Sequence, residues 1–241
     1  MLIYGINPVI EALRAGRVRA LRVSGRGGAR VDAIVQEAGR LGIPVRRVEA
    51  AALDREARGG VHQGVAADVA GAGTFTPAEL VAAAAPPALL VVLDGIEDPH
   101  NVGAILRTAD AAGVDGVVVQ TRRAAALDGA AAKASAGAVA YAKIAPVVNI
   151  ARALDELKAA GVWTVGLTGD GPHRYDAIDY TVPTAFVLGA EGTGLRRLVR
   201  ERCDWLVAIP MRGHVGSLNV SVAAGVALFE ARRQRERPAH G

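Results

Sequence analysis

The sequence predicts an α/β protein: a mostly parallel sheet covered by helices, preceded by a small α/β domain. Three observations carry this. From residue 88 onward, short apolar runs alternate with helix-like segments, the pattern of consecutive strand–helix–strand units. Hydrophobic residues make up 51% of the 241 and charged residues 22%, a composition that builds a packed core. Aromatics are only 4%, so that core must come from Ala, Val, Leu and Ile, which favours α/β layers over an aromatic-rich all-β sandwich.

In the first sixty-nine residues the pieces are short. Asn7 can cap a helix over 8–15, with Pro8 at the first helical position, where its missing N–H costs nothing. The stretch 20–24 alternates like a half-buried strand. Val31, Ile34, Val35 and Ala38 give residues 30–41 one apolar helical face, with Gly42 after its end. Strands follow at 44–48 and, after a turn, near 65–69. Residues 1–70 are therefore expected as one small domain. Small residues at 70–74 and Pro86-Pro87 bracket a short helix over 77–85, and the linker is expected at 71–86.

The second domain, 87–241, is expected to hold strands at 89–93, 116–120, 144–148, 162–167, 185–188 and 206–209. Helices are expected at 102–112, around 128–136, and at 150–160, 195–202 and 218–234.

Charge is unevenly placed. The net charge is +4, yet residues 1–60 hold eleven Arg against six acids while the rest of the chain is close to neutral. A local basic surface suits a phosphate-rich partner. Arg14, Arg22, Arg26 and Arg30 are the expected phosphate contacts. The excess of Arg over Lys reflects base composition, which does not account for the asymmetry. Cys203 is the single cysteine, which rules out an internal disulfide or a cysteine zinc cluster, and no metal site is expected. The N-terminus lacks a basic n-region and an apolar h-region, and no run approaches the roughly 20 apolar residues of a membrane helix. A cytoplasmic protein with no membrane partner is expected.

Three loops at the carboxyl ends of predicted strands gather the polar residues, where α/β sheets bind ligands. The first, after 89–93, holds Asn101 and Arg107. Taken singly, Asn101 reads as a helix cap and Arg107 as an i,i+3 partner of Asp110. The second, Gly189-Ala190-Glu191-Gly192-Thr193-Gly194, is not a phosphate loop: its spacing fits no such motif, it has no lysine, and Glu191 would repel a phosphate. Glycines beside a carboxylate suit an uncharged or cationic ligand. The third, Ser217-Leu218-Asn219, opens the last helix, where Ser217 could equally be a structural cap.

At these loops the sequence resembles the SpoU (TrmH) family of RNA ribose 2′-O-methyltransferases. The matching motifs run from Asn101-Val102-Gly103 to Arg107-Thr108-Ala109, from Leu188-Gly189-Ala190-Glu191-Gly192 to Ile209-Pro210-Met211, and over Ser217-Leu218-Asn219-Val220-Ser221. Tyr4-Gly5, Glu11-Ala12-Leu13 and His62-Gln63-Gly64 resemble the family's ribosomal-protein-like substrate-binding domain. The resemblance is strongest to the branch acting on a guanosine of 23S rRNA. It implies S-adenosylmethionine as methyl donor, a homodimer, and a deep trefoil knot in the last third of the chain. It assigns the cofactor to Thr168, Leu188, Gly189, Ile209, Met211 and Leu218. It assigns catalysis to Asn101, Arg107, Glu191, Ser217 and Asn219, with Arg107 at the hydroxyl. A tRNA ribose methyltransferase shares these motifs, and a non-catalytic rRNA-binding assembly factor is the alternative from another class. A Rossmann oxidoreductase is disfavoured by the missing glycine fingerprint.

Overall fold

The computed structural model describes residues 1–25, 27–70, 74–121, 127 and 129–236. The chain opens with β1 (Leu2–Tyr4), α1 (Ile6–Arg14), β2 (Val18–Val23), α2 (Gly28–Arg40), β3 (Val45–Arg47), α3 (Ala50–Glu56) and β4 (Val65–Val69). The four strands form one sheet in the order β1-β4-β2-β3, antiparallel except for the β2–β3 pair. Strand side chains alternate between faces. Tyr4 and Ala66 pack with Leu53 and Ala57 of the α3 segment, while Val9 and Leu13 of α1 and Val31 and Ile34 of α2 are also buried. Asn7 lies inside α1 rather than capping it: the N-cap is Gly5, and the Ile6 N–H donates to Gln63 Oε1 at 3.0 Å. A side chain 57 residues away thus does the capping, which no local pattern reveals.

From Thr74 the chain runs through α4 (Pro77–Ala82), β5 (Leu89–Asp94), α5 (Pro99–Ala111), β6 (Gly116–Gln120), α6 (Gly129–Ala134), a 3₁₀ turn (Ala138–Ala140), β7 (Ile144–Val147) and α7 (Ile150–Ala159). It continues with β8 (Trp163–Leu167), β9 (His173–Arg174), β10 (Thr184–Gly189), α8 (Arg197–Arg202), β11 (Trp205–Ala208) and α9 (Val220–Arg235). Strands β5 to β11 form a seven-stranded, all-parallel sheet in the order β7-β6-β5-β10-β8-β11-β9. The near-continuous apolar runs of β5 and β10 are buried along their whole length, as sheets covered on both faces require. Leu80, Ile150, Leu154, Leu195 and Val199 cover it from α4, α7 and the α8 segment. On α9, Ala224, Ala227, Leu228 and Ala231 are buried.

Local chemistry sets several ends. Thr76 and Glu79 form a reciprocal capping box at the start of α4, and Asn149 caps α7. Arg235, near the end of α9, donates to the carbonyls of Pro87, Ala88, Tyr180 and Val182, which ties the last helix to strand beginnings. Burial pushes its guanidinium down from the usual value. Cys203 is half-buried against the core of the larger unit, its thiol pushed up to about 12 by burial.

The chain divides into two compact units, and the division departs from the expected one. One unit is Met1–Ala72 with Pro99–Arg107 and Ala126–Tyr141; the other is Gly73–Asp98, Thr108–Ala125 and Ala142–Gly241. Residues 74–85, expected within a linker, belong to the larger unit: Thr74 bridges Ile144, and Leu80 is fully buried in that core. Conversely, the start of α5, α6 and the 3₁₀ turn group with the N-terminal sheet.

Candidate active site

The carboxyl ends of three neighbouring strands, β10, β8 and β11, face one cavity of about 400 Å³. It is lined from Leu167 to Gly169 after β8, from Leu188 to Gly194 after β10, by Ile209 and Met211 after β11, and by the start of α9. Sheet order places these loops together, since β10 inserts between β5 and β8 while β11 adds outside β8. All six expected cofactor residues, Thr168, Leu188, Gly189, Ile209, Met211 and Leu218, line this one cavity, with Glu191, Ser217 and Asn219.

The loop after β10 closes on itself. The Gly194 N–H donates to the Ala190 carbonyl at 2.8 Å. A Cβ on Gly189 would collide with the backbone of Gly194 and Leu195, so only glycine permits this closure. Behind the loop, the fully buried Asp94 carboxylate accepts from the Arg196 backbone N–H at 2.9 Å and from its Nε at 2.7 Å. Arg196 Nη2 bonds Asp94 as well and reaches Gln120 Oε1 at 2.8 Å. The end of β5, the end of β6 and the start of α8 are joined this way.

Asn219, not Ser217, caps α9: its Oδ1 accepts from the Ser221 N–H at 2.9 Å and from the Ser221 hydroxyl at 2.6 Å. Its Nδ2 donates to Glu191 Oε1 at 3.4 Å, which links two of the three loops. Glu191 thus meets a side chain of the neighbouring loop. Ser217 is exposed on the cavity and does not have the capping role that its sequence position allowed. The Thr168 hydroxyl is buried without hydrogen-bond geometry to any group, although it lies close enough to Asp170 to favour its ionised form. Arg200, donating to Asp170 at 2.8 and 3.0 Å, is the larger reason that this carboxyl lies below the usual range.

Among the residues lining the cavity, Glu191 is the only ionisable one. The walls are otherwise apolar side chains and backbone edges from glycine-rich turns. Such a cavity receives a cation or a neutral heterocycle more readily than a phosphate. Sequence reasoning missed Leu167, Gly169, Val207 and Gly216 among the lining residues. Strand-end position is the signal that could have marked the first three.

Asn101 and Arg107 lie on α5, within the N-terminal unit. Asn101 is 7% exposed and sits in the first turn, so it is not the helix cap it resembles in sequence. Arg107 is exposed and has no ion-pair partner among the described residues, Asp110 included. Of the expected phosphate contacts, Arg22 is engaged: it bridges Glu56 at 2.5 Å and also Asp68. Arg14 pairs with Glu11 at 2.7 Å, and Arg30 donates to Asn7 at 2.9 Å. Arg26 lies outside the described residues. Arg19, Arg46 and Arg47, on β2 and the edge strand β3, are exposed without a carboxylate partner among the described residues.

A parallel α/β sheet whose strand-end loops enclose a cation-tolerant cavity, joined to a small basic unit, defines a two-part enzyme-like protein. Residues 88–229 match the SpoU rRNA Methylase family, and residues 2–74 match the family of RNA 2′-O ribose methyltransferase substrate-binding domains. The chain belongs to the SpoU rRNA methylase family. It is 46% identical over 239 residues to the 23S rRNA (guanosine-2′-O-)-methyltransferase RlmB of Xanthomonas campestris pv. campestris, covering 97% of this chain and 96% of the relative. The RlmB of Pseudomonas syringae pv. tomato is 44% identical, covering 97% and 95%. The SpoU methyltransferase AviRb of Streptomyces viridochromogenes, solved in complex with AdoMet, superposes with a TM-score of 0.81 at 27% identity, over 98% of this chain and 90% of that one. The TrmH/SpoU tRNA modifying enzyme of A. aeolicus, 33% identical, covers 66% of this chain and 81% of its own, with a TM-score of 0.57.

Proposed function

We propose that this chain transfers a methyl group from S-adenosylmethionine to the ribose 2′-OH of a guanosine in 23S rRNA. The observation that carries the reading is the cavity, whose donor set fits that cofactor. Glu191 is its one ionisable group, its walls are apolar, and glycine-rich backbone edges are available to an adenine; its volume lies within the roughly 300–1,000 Å³ of small-ligand sites. Bound there, the cofactor supplies an electrophilic methyl group on a positively charged sulfur. Leu188, Gly189, Ile209, Met211 and Leu218 hold the nucleoside, and Glu191, kept in place by Asn219, favours the positive charge. Thr168 lines the cavity with its hydroxyl buried, and its backbone N–H, donating to the Val207 carbonyl at 2.9 Å, holds that loop.

Arg107 binds the RNA phosphate and stabilises the oxyanion that develops as the 2′-OH attacks. A guanidinium keeps its proton, so water or another group accepts the hydroxyl proton. Most of the acceleration then comes from positioning and electrostatics. Asn101, buried two turns from Arg107 on the same helix, orients that helix, while Ser217 faces the cavity.

The N-terminal unit docks structured rRNA. Arg19, Arg46 and Arg47 are its phosphate contacts in this reading, in place of Arg14 and Arg22, whose charges are already paired, and of Arg30, whose guanidinium is held by Asn7. Val222 and Phe229, seven residues apart on α9 and each about half exposed, offer an apolar stripe for a homodimer. The order in which β8, β10 and β11 are laid down round the cavity accords with a trefoil knot there. A cytoplasmic location follows from an rRNA substrate, and no described helix is long and apolar enough to cross a membrane.

A tRNA substrate is the second reading. Against it stands the N-terminal unit, since the tRNA-modifying relative covers only 66% of this chain. The test is transfer of labelled methyl from S-adenosylmethionine to purified 23S rRNA and tRNA. Label in 23S rRNA is expected. Label in tRNA alone would overturn the substrate, and cofactor binding without transfer to any RNA or ribosomal particle would favour the assembly factor.

A further inference from the structure

Glu11 is part of the Glu-Ala-Leu stretch of α1, a motif that RNA docking does not explain. It sits in a contact chain that ends at the helix carrying Arg107, every link of it inside the N-terminal unit. The Tyr141 hydroxyl donates to Glu11 Oε2 at 2.9 Å, and Glu11 Oε1 accepts from Arg14 at 2.7 Å. Beside this bond the chain turns at Gly137 with φ of 99°, so close to α1 that a Cβ there would come within 2.5 Å of Glu11 Cβ. One turn back, Lys133 of α6 donates to the Val61 carbonyl at 3.0 Å, which fastens the same segment a second time.

The other side of α6 presses on α5. A Cβ on Gly103 would fall 2.6 Å from the Ala131 carbonyl oxygen and 2.9 Å from the Ser135 nitrogen, so the two helices meet backbone to backbone. Gly103 lies two residues after Asn101 and four before Arg107. On a helix, residues four apart share a face. The α6 backbone therefore forms the wall beside which Arg107 emerges. α6 has six residues, too few to hold its place by its own helical stability. Its position depends on what fastens it to α1 and to the turn at Val61.

We infer that Glu11 and Tyr141 are positioning residues for the reaction, setting the place of Arg107 through α6 and Gly103. In this reading they act through α6, not on the reacting atoms. The inference rests on the role of Arg107 in the proposed function. A misplacement on the order of 1 Å in reacting groups costs about a hundred-fold in rate. Loss of one anchoring hydrogen bond gives a partial shift, since Lys133 and the packing at Gly103 remain.

The test compares Tyr141→Phe, Glu11→Ala, Glu11→Gln and the double variant Glu11→Ala/Tyr141→Phe in the full-length chain. Steady-state methyl transfer, cofactor affinity and thermal unfolding are measured on each. Tyr141→Phe and Glu11→Ala are expected to lower kcat about ten-fold, with KM for RNA and cofactor affinity within about two-fold of the parent. The double variant is expected to be no worse than either single one, because both remove the same bond. Glu11→Gln keeps an acceptor and is expected to retain most of the parent kcat. Unchanged kcat in both single variants would overturn the inference, as would kcat, KM and cofactor affinity all worsening together with the melting temperature. Should Tyr141→Phe fold poorly, the contrast between Glu11→Gln and Glu11→Ala decides the question alone. A parent chain that transfers no methyl group would instead refute the proposed function on which the inference rests.

Discussion

Removing the Arg196 side chain isolates the strongest polar contact behind the cavity. Asp94 is fully buried at the end of β5, and Arg196 is its charged partner, with its own side chain 48% exposed. In Arg196→Ala the Asp94 carboxylate keeps only the backbone N–H of residue 196, at 2.9 Å. It loses Nε and Nη2, and Gln120 loses the same partner. Breaking a buried pair from one side costs about 3–5 kcal/mol because a buried charge is left uncompensated. Half exposure of the arginine and the surviving backbone bond put this case at the lower limit, about 3 kcal/mol. For a chain of this size about 1 kcal/mol moves the melting temperature by roughly 2–4 °C, so a drop of about 6–12 °C is expected. Arg196→Lys keeps a charge but not the fork, and should fall between the two. Calorimetric or circular-dichroism melting checks this. A melting temperature for Arg196→Ala within about 1 °C of the parent would refute the reasoning.

Other outcomes follow from the same geometry. Gly189→Ala forces a Cβ into the backbone of Gly194 and Leu195, and should abolish measurable cofactor binding by calorimetric titration while the helical circular-dichroism signal persists. Asn219→Ala removes the cap of α9 and the contact to Glu191, and should cost about 1 kcal/mol of stability by denaturant titration and weaken cofactor binding several-fold. Burial raises the pKa of Asp204, but Lys158 at 2.9 Å and Thr164 at 2.8 and 2.7 Å outweigh it and hold the carboxyl below its usual value. That contribution is complete above the unfolded-state value of about 3.9 and is lost as pH falls through the lower folded value. The stability difference between the parent and Asp204→Asn should therefore be largest above about pH 4 and shrink below it, as pH-dependent urea titrations would show. Reversing Arg46 and Arg47 to Glu should weaken RNA binding and flatten its salt dependence, whereas Arg14→Ala should change neither appreciably.

Short-range signals made most elements legible. The strands β5, β6 and β10 are uninterrupted apolar runs, and α7 has an apolar stripe with an asparagine cap, so pattern and structure agree within a few residues. The cavity was legible for the same reason: its walls are strand-end loops with small residues and isolated polar ones. What escaped depends on partners far apart in sequence. Arg196 and Asp94 are 102 residues apart, and Gln63 caps a helix that begins 57 residues earlier. The two-residue strand β9 exists only because β11 offers an edge. α3 is a seven-residue helix whose single fully buried side chain, Leu53, leaves no periodicity to read. Arg22 looked like a phosphate contact because it lies in a basic stretch; its two acids come from α3 and β4. The grouping of Arg107 with the N-terminal sheet rests on backbone approaches at Gly103 and Gly137, which composition does not encode.

The most direct measurement is to locate the transferred methyl group within the RNA. Labelled 23S rRNA is hydrolysed in alkali and the products are separated. A methyl on the ribose 2′-oxygen removes the nucleophile that alkali uses to cleave the adjoining phosphodiester bond. The account predicts that the label survives in one alkali-stable dinucleotide whose 5′ residue is 2′-O-methylguanosine. Label released in an ordinary mononucleotide, as methylation of a base would give, would contradict it.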